Sequence, residues 1–181
     1  MADDSLILVH LSDIHFRCWS GTEYDVDNDI RNELMLDAAR VSGSLGQPQG
    51  ILVAGDIAFS GDTQEYQAAK AWLFDFCDKL GRTLENVWCV PGNHDVDRSQ
   101  IKNSPILSSI HTGIRQSAQK DIDEQIRLFL DDPEAATIIF RPVTEYNKFA
   151  AAFGCQTKPG NTSWQRRFSL NGIMCSSQYL I

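Results

Sequence analysis

The sequence lacks a long hydrophobic run. Its first apolar segment, Leu6–Leu11, is far shorter than the roughly 20 residues that a membrane-spanning helix needs. The residues before it, Met1-Ala2-Asp3-Asp4, are acidic, whereas a secretory signal begins with a positively charged region. We therefore expect no signal peptide and no membrane segment, and a cytoplasmic location.

The sequence also lacks paired cysteines. Its five cysteines are odd in number and show no CxxC spacing, the pattern that marks many zinc sites and redox motifs. A disulfide framework is therefore not expected, and the pattern predicts reduced, mostly buried thiols. The five are Cys18, Cys77, Cys89, Cys155 and Cys175.

Positive charge is scarce, and repeats and low-complexity segments are absent. Lys and Arg number 16 against 24 Asp and Glu, which gives a formal net charge of −8. This balance excludes a general electrostatic attraction to nucleic acid. A nucleotide substrate is still allowed, because bound metal ions can invert the local field. The 181 residues are 43% hydrophobic and 22% charged, which is typical of one soluble globular domain.

Apolar runs and helical periodicity alternate along the first half of the chain. The runs Leu6–Leu11, Gly50–Ala54 and Val87–Val90 predict three strands. Helical spacing fills residues 29–45 and 63–80 between them. This β-α-β-α-β order predicts an α/β fold with parallel strands joined by right-handed crossovers.

The second half changes character. Residues 99–160 form a predicted helical insert, with the most regular helical spacing between Ser104 and Phe153. Beyond it, Trp164–Leu170 and Ile173–Cys175 flank Asn171-Gly172, a pattern typical of a hairpin around a tight turn.

A polar cluster follows each of the three predicted strands. The clusters are Asp13-Ile14-His15, Gly55-Asp56 and Gly92-Asn93-His94-Asp95. Ligand sites of α/β sheets form at the carboxyl ends of the strands. Two Asp, two His and one Asn that meet there suit a pair of divalent metals better than any single metal. Paired metals favour phosphoester hydrolysis, because they stabilise both the attacking and the leaving oxygen.

The clusters resemble those of a known family. In order, spacing and strand context, Leu11–Phe16, Gly55–Ile57 and Gly92–Asp95 resemble the calcineurin-like metallophosphoesterase superfamily. The surrounding segments 55–66 (GDIAFSGDTQEY) and 90–98 (VPGNHDVDR) resemble a bacterial branch of it. The resemblance implies a β-sandwich flanked by helices and two divalent metal ions, with Mn²⁺, Fe²⁺ or Zn²⁺ expected.

The residue types suggest how the metals would be held. Asp13 and His15 alternate along an extended backbone, so both side chains face one metal. Asp56 can bridge two cations, and Asn93 offers a neutral oxygen to the second one. The resemblance implies the same four roles.

Two further residues of the third cluster are expected to act in catalysis. The resemblance implies that His94 contacts the phosphate or protonates the leaving oxygen. Asp95 either orients His94 or caps the segment that follows.

The sequence departs from the family pattern after Asp95. The pattern continues with a lone histidine and a Gly-His-x-His cluster, but this chain has four histidines and none beyond His111. We therefore expect residues 1–181 to form a C-terminally incomplete domain, a parallel βαβαβ half with the helical insert at 99–160. One sheet face would lack its cover, which predicts association through that face.

The expected function is that of a metal-dependent phosphoric ester hydrolase, either a phosphodiesterase or a phosphatase. A dinuclear site would hydrolyse the ester through a metal-bound hydroxide. The phosphoester substrate stays open between cyclic nucleotides, nucleic-acid ends and phosphoproteins. The alternative is a truncated or inactive remnant that serves as a binding or regulatory module, and the missing histidines predict little turnover by the 181 residues alone.

Overall fold

The first half of the protein is a parallel sheet with connecting helices. The structure, a computed structural model, describes residues 5–18, 25–170 and 173–180. The sheet contains β1 (Leu8–Leu11), β2 (Gly50–Ala54) and β3 (Val87–Val90) in that order, and both neighbouring pairs are parallel. The predicted α/β class is confirmed, with β2 at the centre of the sheet.

Two helices make the crossovers between these strands. They are α1 (Val26–Leu45) and α2 (Thr63–Lys79). The side chain of Asp25 caps α1 by accepting the Asn28 N–H, and α2 begins with a capping box made by Asp62 and Glu65. After α2, Gly81 takes a positive φ of 64°, which suits the end of a helix.

One face of the sheet is fully covered. Ile51, Val53 and Val87 are at most 1% exposed, and they belong to one buried cluster with Leu73 and Phe76 of α2. Burial of each such side chain stabilises the fold by about 1.5–3 kcal/mol. This cluster fixes the sheet against α2, and with it the loops at the strand ends.

The opposite face of the sheet is only partly covered. His10 and Ala54 are exposed on it, and a cavity of about 210 Å³ lies over Leu52 and Val90. Trp164 lines that cavity, and its indole N–H donates to the carbonyl oxygen of Cys89 at 3.0 Å. Association through this face remains a prediction.

The insert is helical and lies outside the sheet, as predicted. Its helices are α3 (Arg98–Asn103), α4 (Pro105–Gln116), α5 (Ile122–Asp131), α6 (Pro133–Ile139) and α7 (Thr144–Ala150), with short 3₁₀ turns at 119–121, 141–143 and 151–153. Pro105 and Pro133 each occupy a first helical position, where the missing N–H is least costly. Among the helices of the described ranges, none has the length and apolarity to cross a bilayer. The domain boundaries stay a prediction.

The last helix of the insert is anchored in the core. Tyr146 is fully buried, and its hydroxyl lies within hydrogen-bond distance of two carbonyl oxygens, that of Cys89 at 3.0 Å and that of Cys155 at 3.2 Å.

Cys77, Cys89 and Cys155 are buried free thiols, whereas Cys18 is exposed. This agrees with the expected reduced cysteines in the part of the chain described.

A hairpin follows the insert. β4 (Ser163–Leu170) and β5 (Ile173–Leu180) pair antiparallel as a separate two-stranded sheet. The predicted pairing of these two segments is therefore present, while the predicted turn at Asn171-Gly172 lies outside the described residues.

Candidate metal centre

The loops after β1 and β2 continue side by side beyond the ends of the strands. The His15 N–H donates to the Asp56 carbonyl oxygen at 3.0 Å, and the Phe16 N–H donates to that of Ile57 at 2.8 Å. Phe16 also forms an isolated parallel bridge with Ala58. Because the two backbones stay paired, the first and second polar clusters are held next to each other.

Three residues of these loops have an unusual backbone. Asp13, His15 and Asp56 have φ values of 56°, 52° and 51°, and within the described ranges they are the non-glycine residues with positive φ. The left-handed region is unfavourable for residues with a Cβ, and such strain concentrates at functional sites. Backbone strain is thus found at three of the four residues that the sequence singled out as metal ligands.

A compact group of ligand atoms lies at this point. One ligand atom each from His15, Asp56 and His94 lie within 4.8 Å of one another. Two atoms bonded to the same ion at about 2.0–2.3 Å are separated by at most roughly 4.6 Å, so the spacing is close to what one ion requires. Asp13 lies at the exposed edge of this group, with its Oδ1 3.8 Å from His15 Nε2 and its Oδ2 accepting from the Ser12 hydroxyl.

The donor atoms suit a divalent transition metal. Imidazole nitrogens and carboxylate oxygens together favour ions such as Mn²⁺, Fe²⁺ and Zn²⁺. His15 Nδ1 is buried and has no hydrogen-bond partner among the described residues. A buried nitrogen without a partner is costly, and coordination to a cation would satisfy it. The residues present therefore fit a metal ion.

A glycine brings the third cluster against Asp56. A Cβ on Gly92 would lie 2.1 Å from Asp56 Oδ1 and 2.4 Å from the Asp56 backbone nitrogen. The same Oδ1 accepts the His94 N–H at 2.9 Å. The loop after β3 can approach the Asp56 carboxylate this closely only because residue 92 has no side chain.

The imidazole of His94 is held by a backbone carbonyl. Its Nδ1 lies 2.7 Å from the carbonyl oxygen of Phe59, and the two rings are tilted with centroids 5.3 Å apart. Because a carbonyl oxygen only accepts, Nδ1 must carry the proton, which leaves Nε2 as the nitrogen free to exchange one. The ring of His15 meets that of His94 edge-on at 4.7 Å.

Asp95 holds the ligand-bearing loops together. Its buried carboxylate accepts the N–H groups of Ile57 (3.1 Å), Ala58 (2.9 Å) and Gly92 (2.8 Å), and the Tyr66 hydroxyl at 3.0 Å. Burial raises the pKa of Asp95, while the hydrogen bonds from the three backbone N–H groups oppose that rise.

These contacts differ from both roles that the sequence suggested for Asp95. The Nδ1 atom of His94 pairs with Phe59, and the following helix, α3, is capped by Asp97, which accepts the Ser99 N–H at 2.9 Å. A catalytic role for Asp95 stays a prediction. Its observed contacts link the loop after β2 to the loop after β3.

Replacing Asp95 by alanine should destabilise the protein strongly. The buried N–H groups of Ile57 and Ala58 and the partly buried N–H of Gly92 would lose their acceptor, and each such loss costs about 1–3 kcal/mol. We expect the free energy of unfolding, measured by urea denaturation, to fall by about 3 kcal/mol or more. Asp97→Ala is the matched control and should cost about 1 kcal/mol, the usual value of a helix cap. Equal losses for the two variants would contradict the linking role.

The remaining predicted ligand lies at the surface. Asn93 is exposed and directly precedes His94. The structure thus brings His15, Asp56 and His94 together with Asp13 at their edge. Phe59 and Tyr66 lie in the segment 55–66 that resembles the bacterial branch, but no motif predicts their contacts, because a backbone carbonyl and a remote hydroxyl have no local signature.

The sequence profile described as calcineurin-like phosphoesterase matches residues 6–153, which include all three clusters and most of the insert. The chain belongs to the calcineurin-like phosphoesterase family. The resemblance drawn from the three motifs is therefore confirmed, and the family is one of metal-dependent hydrolases of phosphoric esters.

Three curated relatives match part of this family member. An uncharacterized metallophosphoesterase-like protein of Bacillus subtilis is 28% identical over 131 residues, covering 68% of this chain and 26% of the relative. A glycerophosphodiester phosphodiesterase of Enterobacter lignolyticus is 31% identical over 91 residues, which cover 50% and 30% of the two chains. A cAMP/cGMP dual specificity phosphodiesterase of Mycobacterium tuberculosis is 34% identical over 97 residues, which cover 53% and 29%. The match spans less than a third of the length of each relative.

Proposed function

We propose that this protein hydrolyses phosphodiesters at a site that holds two divalent metal ions. The observation that carries the proposal is the meeting of His15 and Asp56 on strained backbone, with Asp13 beside them and a ring nitrogen of His94 within 4.8 Å of their ligand atoms. In this proposal Asp13 and His15 hold one ion, Asn93 holds the other, and Asp56 contacts both. Mn²⁺, Fe²⁺ and Zn²⁺ suit these oxygen and nitrogen donors.

The residues of the site would then have separate chemical roles. Two bound ions would neutralise the phosphate and lower the pKa of the attacking water. His94, with Nδ1 fixed by Phe59, would deliver a proton from Nε2 to the departing ester oxygen. Asp56 fixes the backbone of His94 by accepting its N–H, so the proton donor and the bridging carboxylate keep a constant relation.

The choice of a diester over a monoester rests on the relatives. Two of the three matching proteins carry names of phosphodiesterases, one acting on glycerophosphodiesters and one on cyclic nucleotides. Both align with this chain over about half its length. We extend the bond type, a phosphodiester, to this protein and leave the attached alcohols open.

The test is a metal titration with and without His94. The whole protein that carries residues 1–181, stripped of metal and titrated with Mn²⁺, should hydrolyse bis(4-nitrophenyl) phosphate. The low turnover expected from the missing histidines concerns residues 1–181 alone. His94→Ala should still bind Mn²⁺ but lose about 10²–10⁴-fold in kcat, the usual contribution of a general acid. His111→Ala, which removes a histidine of α4, serves as the control and should keep full activity.

Each other outcome of this test has a defined meaning. Mn²⁺ binding without turnover by the unaltered protein would overturn the enzymatic proposal and favour a binding or regulatory module. Loss of Mn²⁺ binding in His94→Ala would make His94 a ligand in place of a proton donor.

A further inference from the structure

Phe59 separates two cavities beside the metal centre. Its ring is 39% exposed and lies 6.1 Å from the His15 ring and 5.3 Å from the His94 ring. One cavity, of about 600 Å³, is lined by His94 and Arg98, and the other, of about 510 Å³, is lined by Arg17. Both cavities are lined by Phe59, Ser60 and Asp62, and the second contains no residue of the metal centre. A molecule bound at the centre would therefore reach Arg17 across the Phe59 ring.

The guanidinium of Arg17 lies over the ring of Phe59. Its guanidinium carbon lies 3.9 Å from the centroid of the Phe59 ring, within the range of a cation–π contact. The N–H donors of a guanidinium lie in its plane, so stacking on a ring leaves them available. Arg17 is exposed, and no carboxylate of the described residues lies within ion-pair distance of it. The contact therefore orders a cation whose donors can serve a ligand.

The cavity on the His94 side is acidic. Asp97 and Glu145 line it together with one cation, Arg98, while Asp62 lines both cavities. Hydrogen bonds from Ser99 lower the pKa of Asp97, and Lys148 does the same for Glu145, so both are ionised at neutral pH. A second anion on this side would meet several negative charges.

The cavity on the Arg17 side is more favourable for an anion. Its buried carboxylate, Glu65, accepts the N–H and hydroxyl of Ser60 and the N–H of Asp62. Asp62 in turn accepts the Gln64 N–H as the cap of α2. Both carboxylates are thus engaged by backbone donors, while the guanidinium of Arg17 is not paired with either.

We propose that Arg17 binds a second anionic group of the substrate, a phosphate or carboxylate on the substituent that stays attached to phosphorus. One aromatic ring separates the guanidinium from both imidazoles, so this anion lies several bonds from the reacting phosphorus. The leaving group then occupies the His94 side. Arg17 is a specificity-determining residue, and this role rests on the proposed phosphodiester hydrolysis.

A matched pair of chromogenic probes tests the role. Thymidine 5′-(4-nitrophenyl phosphate) and its 3′-phosphate derivative release the same 4-nitrophenol and differ only in the remote phosphate. The full-length protein with Mn²⁺ should show a kcat/KM about tenfold higher for the 3′-phosphate probe, the effect of one charge-assisted contact. Arg17→Gln should remove this preference and leave the probe without the 3′-phosphate unchanged. Arg17→Lys should keep only part of the preference, because an ammonium group lacks the planar set of N–H donors of a guanidinium.

Arg98→Gln is the matched comparison on the other side of Phe59, and it should keep the tenfold preference. An equal rate loss with both probes in Arg17→Gln would place Arg17 on the reacting phosphate and overturn the proposal. Equal kcat/KM values for the two probes in the unaltered protein would overturn it as well. If the protein hydrolyses neither probe, both the proposed function and this role of Arg17 are wrong.

Discussion

Replacing Asp56 by asparagine should lower turnover by about a thousandfold or more. The amide keeps the size of the side chain, and its oxygen can still accept the His94 N–H that Oδ1 accepts at 2.9 Å. It removes the negative charge that two neighbouring cations would share, and such charge stabilisation is the largest contribution that a site of this kind makes. The measurement is kcat for bis(4-nitrophenyl) phosphate at saturating Mn²⁺, together with the amount of bound metal.

Asp75→Asn is the control for this variant. Asp75 is an exposed carboxylate on α2, so the same chemical change there should leave both turnover and metal content unaltered. If Asp56→Asn kept more than a tenth of the activity, Asp56 would not be the shared ligand and the dinuclear mechanism would be wrong.

The second large effect is expected from Gly92→Ala. The new Cβ would lie 2.1 Å from Asp56 Oδ1, well inside any contact that two such atoms can make. Either the Asp56 carboxylate or the loop after β3 must move, and both changes separate Asp56 from His94. We expect Mn²⁺ affinity, measured by calorimetry, to fall at least tenfold, and turnover to fall by about a hundredfold or more, since catalysis depends steeply on ligand position.

Gly113→Ala is the control: it makes the same substitution at a position where the added methyl group should be favourable. Gly113 lies inside α4, and a Cβ there meets nothing within 4 Å. The substitution should stabilise the protein by about 0.5–1 kcal/mol and leave metal binding unchanged. Unaltered Mn²⁺ affinity in Gly92→Ala would show that the approach of the two loops is not needed for the site.

The sheet was predictable because its strands are short apolar runs with clear limits. The observed bounds of β2 (Gly50–Ala54) and β3 (Val87–Val90) match the sequence prediction, since both are apolar runs that end before a turn residue, Gly55 or Pro91. The helix α1 begins at Val26, three residues earlier than predicted, because Asp25 caps it. The sequence alone does not show which of the neighbouring aspartates caps the helix.

The buried face of α1 was harder to predict. The helical spacing of residues 29–45 predicts an apolar face made of Ile30, Leu34, Leu36, Ala38 and Val41. Of these, Ile30 is 63% exposed and Leu36 is 55% exposed. Ala38 packs against the core as predicted, and Met35, which the spacing did not select, packs there as well. Periodicity identifies a helix, whereas the side that becomes buried depends on how much core surface lies beneath it.

The candidate site was partly predictable for a similar reason. Strand ends of a parallel sheet meet at one edge, so His15, Asp56 and His94 were expected to come together. The contacts that hold these three side chains in place depend on the path of the loops, which the sequence pattern does not predict. Neither the Phe59 carbonyl that holds His94 nor the Asp95 carboxylate that joins two loops has a local sequence signature.

If the proposed ions bind there, the left-handed backbone at Asp13, His15 and Asp56 would link the metal supply to the amount of folded protein. A residue with a Cβ in this conformation costs about 1–3 kcal/mol, so a chain optimised for stability alone would carry glycine at these positions. Ions that bind only the folded state offset this cost by an amount that rises with the logarithm of their concentration. Scarcity of the metal would then reduce the abundance of the protein in the cell as well as its rate, because the unoccupied fold is more open to degradation.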